Sequence, residues 1–225
     1  MSKRLVAGLI LCTFGLFGGL LAEEPADDFA RWEKAIAAFE ALDKQNPPPQ
    51  EATLFVGSSS IRLWKLEQSF PHHTVINRGF GGSQIADSLH FADRIVLKHR
   101  PKTIVFYAGD NDIAKGKSPD RVAADFRKFV KTVHAELPET RIVFIAIKPS
   151  LARWKLADTI QKANKMIQNE CEKNDKLAFA DVWKPMLGDD GRPRPELFAK
   201  DGLHLNEAGY KVWTKVIEPH LPKAE

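Results

Sequence analysis

Cysteine is scarce in this chain. Only Cys12 and Cys171 occur in 225 residues, and Cys12 falls inside an apolar leader. With the leader removed, one cysteine is left, which excludes an internal disulfide, so the core must hold the fold. Cys171 follows Ile167 in a helical pattern and reads as a core or near-surface thiol rather than a nucleophile. Charge of one sign is also missing. The net charge is +4, but basic and acidic residues interleave, and no Lys/Arg stripe or aromatic–basic ladder appears. That pattern excludes a nucleic-acid partner. Past the leader there is no long apolar run, repeat, low-complexity tract or interdomain linker. Residues 23–225 therefore read as a single domain.

The leader itself has the layout of a secretory signal peptide over residues 1–22. Lys3 and Arg4 precede an uncharged stretch from Leu5 to Ala22, and Glu23-Glu24 follow. Cleavage after Ala22 would leave 31 basic against 29 acidic residues, a nearly neutral mature chain. The expected location is secreted or periplasmic, with no stable membrane span after cleavage. Leu20 is large for the third position before the cut, so an uncleaved membrane anchor is the alternative. Four glycines make the segment a poor permanent span. Cys12 follows Leu11 and sits too early for a lipoprotein site.

Along the mature chain, apolar stripes at helical spacing alternate with short continuous apolar runs. Residues 27–45 carry Phe29, Trp32, Ile36, Phe39 and Leu42 and predict a helix, ended by Pro47-Pro48-Pro49. Strands are expected at 54–56, 74–77, 103–107, 141–147 and 177–182. Helices are expected at 61–70, 84–99, 118–137, 156–174 and 206–218. Gly-rich residues 78–83 read as a turn. Continuous apolar strands alternating with helices imply parallel strands covered on both faces. The fold class is α/β: a three-layer α/β/α sandwich with a five-stranded parallel sheet. In such sheets the site lies at the carboxyl ends of the strands.

Four polar blocks fall at that edge. Gly57-Ser58-Ser59-Ser60 follows the first strand, and Gly79-Phe80-Gly81-Gly82-Ser83 the second. Gly109-Asp110-Asn111-Asp112 follows the third, and Asp201-Gly202-Leu203-His204 precedes the last helix. Each block has a bland reading as a cap or turn. Together they supply what acyl transfer needs. A serine hydroxyl becomes nucleophilic when an imidazole takes its proton. A carboxylate fixes the imidazole tautomer, and convergent N–H donors stabilise the oxyanion.

In order and spacing the blocks resemble those of the SGNH hydrolases, the GDSL esterase/lipase family, over about residues 54–216. FVGSSSIRLW resembles the family's G-D-S segment, with Ser58 replacing its Asp, and NRGFGGS its oxyanion glycine block. GDND resembles G-x-N-D, and DGLHLNEAGY resembles D-x-x-H. The resemblance implies a flavodoxin-like SGNH hydrolase fold. It implies a catalytic set of Ser59, Asp201 and His204, and an oxyanion hole from Ser59, Gly82 and Asn111. Centred on Ser59, the segment does not match the G-x-S-x-G elbow, because Ile61 holds its last position.

Ser58 and Ser60 read as helix-start hydroxyls. Asp110 and Asp112 lack a His or further acidic partner and read as loop organisers, so no metal and no cofactor is expected. His72 and His73 read as an exposed turn, and His90, His99, His134 and His220 as residues of polar helix faces or ends. Lys148, Arg153 and Trp154 follow the fourth strand at the site edge, where a substrate could reach them. The expected activity is hydrolysis of a carboxylic ester through an acyl-enzyme. The family implies short acyl esters, acetylated sugars, lysophospholipids or thioesters. The partner is thus a small-molecule, saccharide or lipid ester. The competing function is a non-catalytic carbohydrate- or envelope-binding module on the same fold.

Overall fold

The computed structural model describes residues 28–223; the leader expected over 1–22, Cys12 included, lies outside the described residues. Five parallel strands form one sheet: β1 Thr53–Gly57, β2 Val75–Gly79, β3 Thr103–Tyr107, β4 Arg141–Ile145 and β5 Leu177–Ala180. Their order is β2-β1-β3-β4-β5. Gly57 pairs in register with both Gly79 and Tyr107, so the carboxyl ends of the three strands stop level. The three loops that follow therefore leave one edge side by side.

The strands are apolar throughout because each face meets its own core. Side chains alternate along a strand. Leu54, Val56, Ile104 and Phe106 point to one side, where Phe126, Phe129 and Ile160 pack. Phe55, Val105 and Tyr107 point to the other, with Ile61, Trp64 and Trp213. Burying each such side chain contributes roughly 1.5–3 kcal/mol. The first face is covered by α1 Glu33–Gln45, α4 Ile85–His90, α5 Ala92–Ile95, α7 Pro119–Glu136 and α8 Ala157–Cys171. The second is covered by α2 Ser59–Arg62, α3 Leu66–Ser69 and α9 Glu207–Ile217. A further short helix, α6 Asp110–Ala114, begins in the third polar block. Capping fixes two helix starts. Ser118 accepts the N–H of Arg121 at 3.2 Å, and Asn206 that of Gly209 at 3.1 Å. Cys171 is buried, which pushes its thiol up to about 12 and leaves it inert at neutral pH. Among the described residues no helix is long and apolar enough to cross a membrane.

Two expected helices are broken. The one over 61–70 is interrupted between α2 and α3, where Asn77 Nδ2 donates to the carbonyls of Ile61 at 2.8 Å and Trp64 at 3.4 Å. Those are acceptors that a continuous helix would have used internally. The one over 84–99 breaks at Phe91 and Val96 into α4, α5 and a 3-10 turn Leu97–His99. Ile85, Phe91, Ile95 and Val96 are all buried, more apolar bulk than one straight helical face could turn inward. Residues 78–79 extend β2 instead of turning.

His99 also departs from expectation: it is 2% exposed, not on a polar face. Its Nε2 lies 3.6 Å from Asp43, which also pairs with Arg78 and Lys98. Burial, and then the nearby Arg78 charge, push its imidazole down to about 4.

Candidate active site

The strand-to-helix transition sets the first component. Gly57 ends β1 at φ +135°, a conformation open to glycine. The chain then enters α2 with Ser59 at its first position, where the backbone N–H has no helical acceptor. Ser58 caps α2 with its carbonyl, which accepts from Ile61 and Arg62 at 3.0 and 3.1 Å. No hydroxyl cap is formed there, contrary to the sequence expectation for Ser58.

The imidazole comes from the loop before α9. His204 Nε2 lies 3.0 Å from Ser59 Oγ, across 145 residues of chain. His204 Nδ1 lies 2.5 Å from Asp201 Oδ2. The other carboxylate oxygen of Asp201 accepts the N–H groups of Leu203 and His204, both at 2.9 Å. The hydrogen bond from His204 and these two backbone donors hold the Asp201 carboxyl well below the usual range. The spacing of three residues suffices because the carboxylate caps its own loop while facing the ring.

The glycine block and the third polar block lean on each other. Gly82 takes φ +78°, and a Cβ there would meet Trp32 at 3.3 Å. Trp32, from the turn before α1, thus packs against the glycine loop. Asn111, in α6, donates from Nδ2 to the carbonyl of Ser83 at 3.0 Å. Asp112 is fully buried and accepts the N–H of Ile85 at 3.2 Å, tying α6 to the start of α4. Burial pushes its carboxyl up to about 7. Asp110 and Asp112 do organise the loop, each against separate cations. Asp110 pairs with Lys148 and Arg153, at 2.9 and 2.7 Å, and Asp112 lies 3.8 Å from Lys117.

Ser59, Asp201 and His204 therefore converge, and Gly82 and Asn111 meet through the Gly82-Ser83 loop. The three residues after β4 do not behave alike. Lys148 is 1% exposed and faces Asp110 and Tyr107, so substrate contact is corrected for it: the Asp110 carboxylate and the Tyr107 hydroxyl hold its ammonium inside. Trp154 is half-buried and stacks on Trp183, 6.1 Å between ring centroids. Arg153 reaches Asn111. The sequence signalled that contact only by an Arg on the site edge. A groove of about 750 Å³ is lined by His204 and by residues of α3 and α9, with Leu63, Lys65, Tyr210, Lys211 and Lys215 among them.

A three-layer parallel α/β fold with a serine, an imidazole and a carboxylate aligned at the strand ends defines a hydrolase-like class. The family model of the GDSL-like lipase/acylhydrolases matches residues 60–212, beginning one residue after Ser59, and the chain belongs to that family. No curated protein matches it. Solved structures share the fold. A Streptococcus pneumonia protein provisionally named a platelet activating factor has a TM-score of 0.77 at 23% identity, covering 86% of this chain and 94% of that one. A GDSL-like lipase from Bacteroides thetaiotaomicron has a TM-score of 0.66 at 20% identity, covering 86% and 96%. An acetylxylan esterase from Geobacillus stearothermophilus has a TM-score of 0.61 at 15% identity, covering 76% and 94%.

Proposed function

We propose that this protein is a serine esterase that hydrolyses carboxylic esters through an acyl-enzyme. The observation that carries the reading is the 3.0 Å approach of His204 Nε2 to Ser59 Oγ, with Nδ1 held by Asp201. In this reading Ser59 Oγ attacks the ester carbonyl carbon while His204 Nε2 takes its proton. The carbonyl oxygen becomes an oxyanion facing the N–H groups of Ser59 and Gly82 and the amide of Asn111. His204 then gives its proton to the departing alkoxide, and the C–O ester bond breaks. Water, activated by the same imidazole, attacks the acyl-enzyme and releases the acid.

The alcohol part must leave on the side of the imidazole that protonates it. His204 also lines a groove with Leu63, Trp64, Leu205 and Tyr210 and with Lys65, Lys211 and Lys215. That lining suits an ester whose alcohol part is a saccharide or a polar lipid headgroup, such as an acetylated sugar or a lysophospholipid. The leader over 1–22 supports an extracytoplasmic site of action.

The test is a fluorophosphonate probe with peptide mapping, alongside p-nitrophenyl acetate hydrolysis. Labelling at Ser59 with loss of hydrolysis is the expected result. Hydrolysis that persists after complete labelling, or that EDTA abolishes, would overturn the mechanism. An unlabelled, inactive protein would instead favour a binding module.

A further inference from the structure

Asn111 can serve an oxyanion only if its carboxamide presents nitrogen, not oxygen, to the substrate. The two ends have nearly the same shape, so something must choose between them. Arg153 stands at the other end: its Nη1 and Nη2 both lie 3.2 Å from Asn111 Oδ1. A guanidinium has donors and no acceptor, so the atom it faces must be the oxygen. With oxygen held there, one Nδ2 hydrogen goes to the Ser83 carbonyl at 3.0 Å. The second is left for the substrate.

Arg153 is itself anchored. Its Nη1 lies 2.7 Å from Asp110 Oδ1, and the other oxygen of Asp110 accepts from Lys148 Nζ at 2.9 Å. Lys148 also donates to the Tyr107 hydroxyl at 3.2 Å, and Lys148, Asp110 and Tyr107 are all buried. Burial alone would raise the Asp110 carboxyl, but Lys148 and Arg153 overcome it and hold it below the usual range. The loop that carries Arg153 is pinned to the base loop, where Ala152 donates to the Gly202 carbonyl at 3.0 Å. The two cations and one carboxylate leave a net positive charge behind the Asn111 oxygen. That charge pulls electron density toward Oδ1 and sharpens the positive end at Nδ2, in a place where reorganisation is small.

We propose that Arg153 is a positioning residue for the oxyanion hole: standing on the buried Asp110–Lys148 pair, it fixes and polarises the Asn111 carboxamide. This rests on the esterase reading above. It also moves Arg153 from the substrate-contact role that its place on the strand edge suggested.

A double-mutant cycle on p-nitrophenyl acetate tests it, with Arg153→Met, Asn111→Ala and the pair, each checked for folding by thermal melting. Arg153→Met should lower kcat by about 10–100-fold with KM within about twofold, since the amide acts when charge develops. The double variant should be no slower than Asn111→Ala alone, because residues that act through one another are not additive. Arg153→Lys, which keeps a charge and one donor, should recover part of the loss; it supplies the same cycle if the Met variant does not fold. A rise in KM with kcat kept would mean direct substrate contact. Fully multiplicative losses would mean an independent role. Either result overturns the proposal while leaving the esterase reading intact. A wild type that neither hydrolyses esters nor labels at Ser59 would remove both.

Discussion

Gly57 and Tyr107 stand in register on neighbouring strands, and a Cβ on Gly57 would lie 1.9 Å from the Tyr107 carbonyl oxygen. That carbonyl accepts the N–H of Ser58 at 3.0 Å, so the close approach also aims the start of α2. Gly57→Ala would have to push the two strand ends apart and hold φ +135°, which costs about 1–3 kcal/mol in backbone strain alone. The expected outcome is a clear fall in the urea midpoint, and slower fluorophosphonate labelling of Ser59 in the fraction that stays folded. A variant with wild-type stability and labelling rate would show that the turn does not set the nucleophile.

The three serines after Gly57 have different surroundings, and their alanine variants should separate accordingly. Ser59 alone faces His204. Ser58 and Ser60 are each 2% exposed, and both use backbone carbonyls: Ser58 caps α2, and Ser60 accepts the Tyr210 hydroxyl at 2.9 Å. Ser59→Ala should reduce turnover by roughly four to six orders of magnitude, as removal of a triad nucleophile does elsewhere. Ser58→Ala and Ser60→Ala keep their carbonyls and should cost far less. Loss in Ser60→Ala with retention in Ser59→Ala would shift the nucleophile by one position.

These contrasts mark where the sequence was informative. The sheet was readable because Leu54-Phe55-Val56 and residues 103–107 are apolar on both faces, a pattern that a three-layer fold requires. The four polar blocks were readable because each follows a strand or opens a helix. The helix breaks were not, because they depend on Asn77, a residue from another element, and on how much bulk one core can take. His99 looked like a polar helix residue because Asp43, which it faces, lies far away in sequence. Arg153 was visible only as a charge on the right edge; its link to Asn111 spans 42 residues and two loops.

Two buried groups should give stability opposing pH slopes. His99 is pushed down to about 4 from 6.5, so the unfolded chain binds its proton first, and stability is lost as pH falls from 6.5 toward 4. Asp112 is pushed up to about 7 from 3.8, so the folded chain binds the proton more tightly, and stability is lost as pH rises from 3.8 toward 7. Each contributes a slope of about 1.4 kcal/mol per pH unit between pH 5 and 6.5, with opposite sign. Urea unfolding should show His99→Gln losing stability with rising pH relative to wild type, and Asp112→Asn gaining it. Identical slopes in all three proteins would mean that neither shift is real.

The last expectation concerns Asp201 and follows from what its two oxygens hold. Oδ1 accepts the N–H groups of Leu203 and His204, and Oδ2 faces His204 Nδ1. The His204 hydrogen bond, then the backbone donors, keep this carboxyl ionised well below neutral pH. The His204 imidazole must be neutral to take the Ser59 proton. In Asp201→Asn the amide oxygen would stay on the two backbone donors, leaving the NH₂ facing His204 Nδ1. That ring nitrogen would have to accept, which puts the proton on Nε2, facing Ser59 with no lone pair to offer. The buried equivalent in a well-studied serine protease loses about 10⁴ in kcat on this change. Asp201 has a side chain 49% exposed, so water can rescue part of the tautomer. A loss of about 10²–10³ is therefore expected, smaller than that of His204→Ala, which removes the base outright. Both variants should be assayed on p-nitrophenyl acetate from pH 5 to 9. Full activity in Asp201→Asn at neutral pH would mean that the carboxylate does not set the tautomer, and the imidazole would need another orienting group.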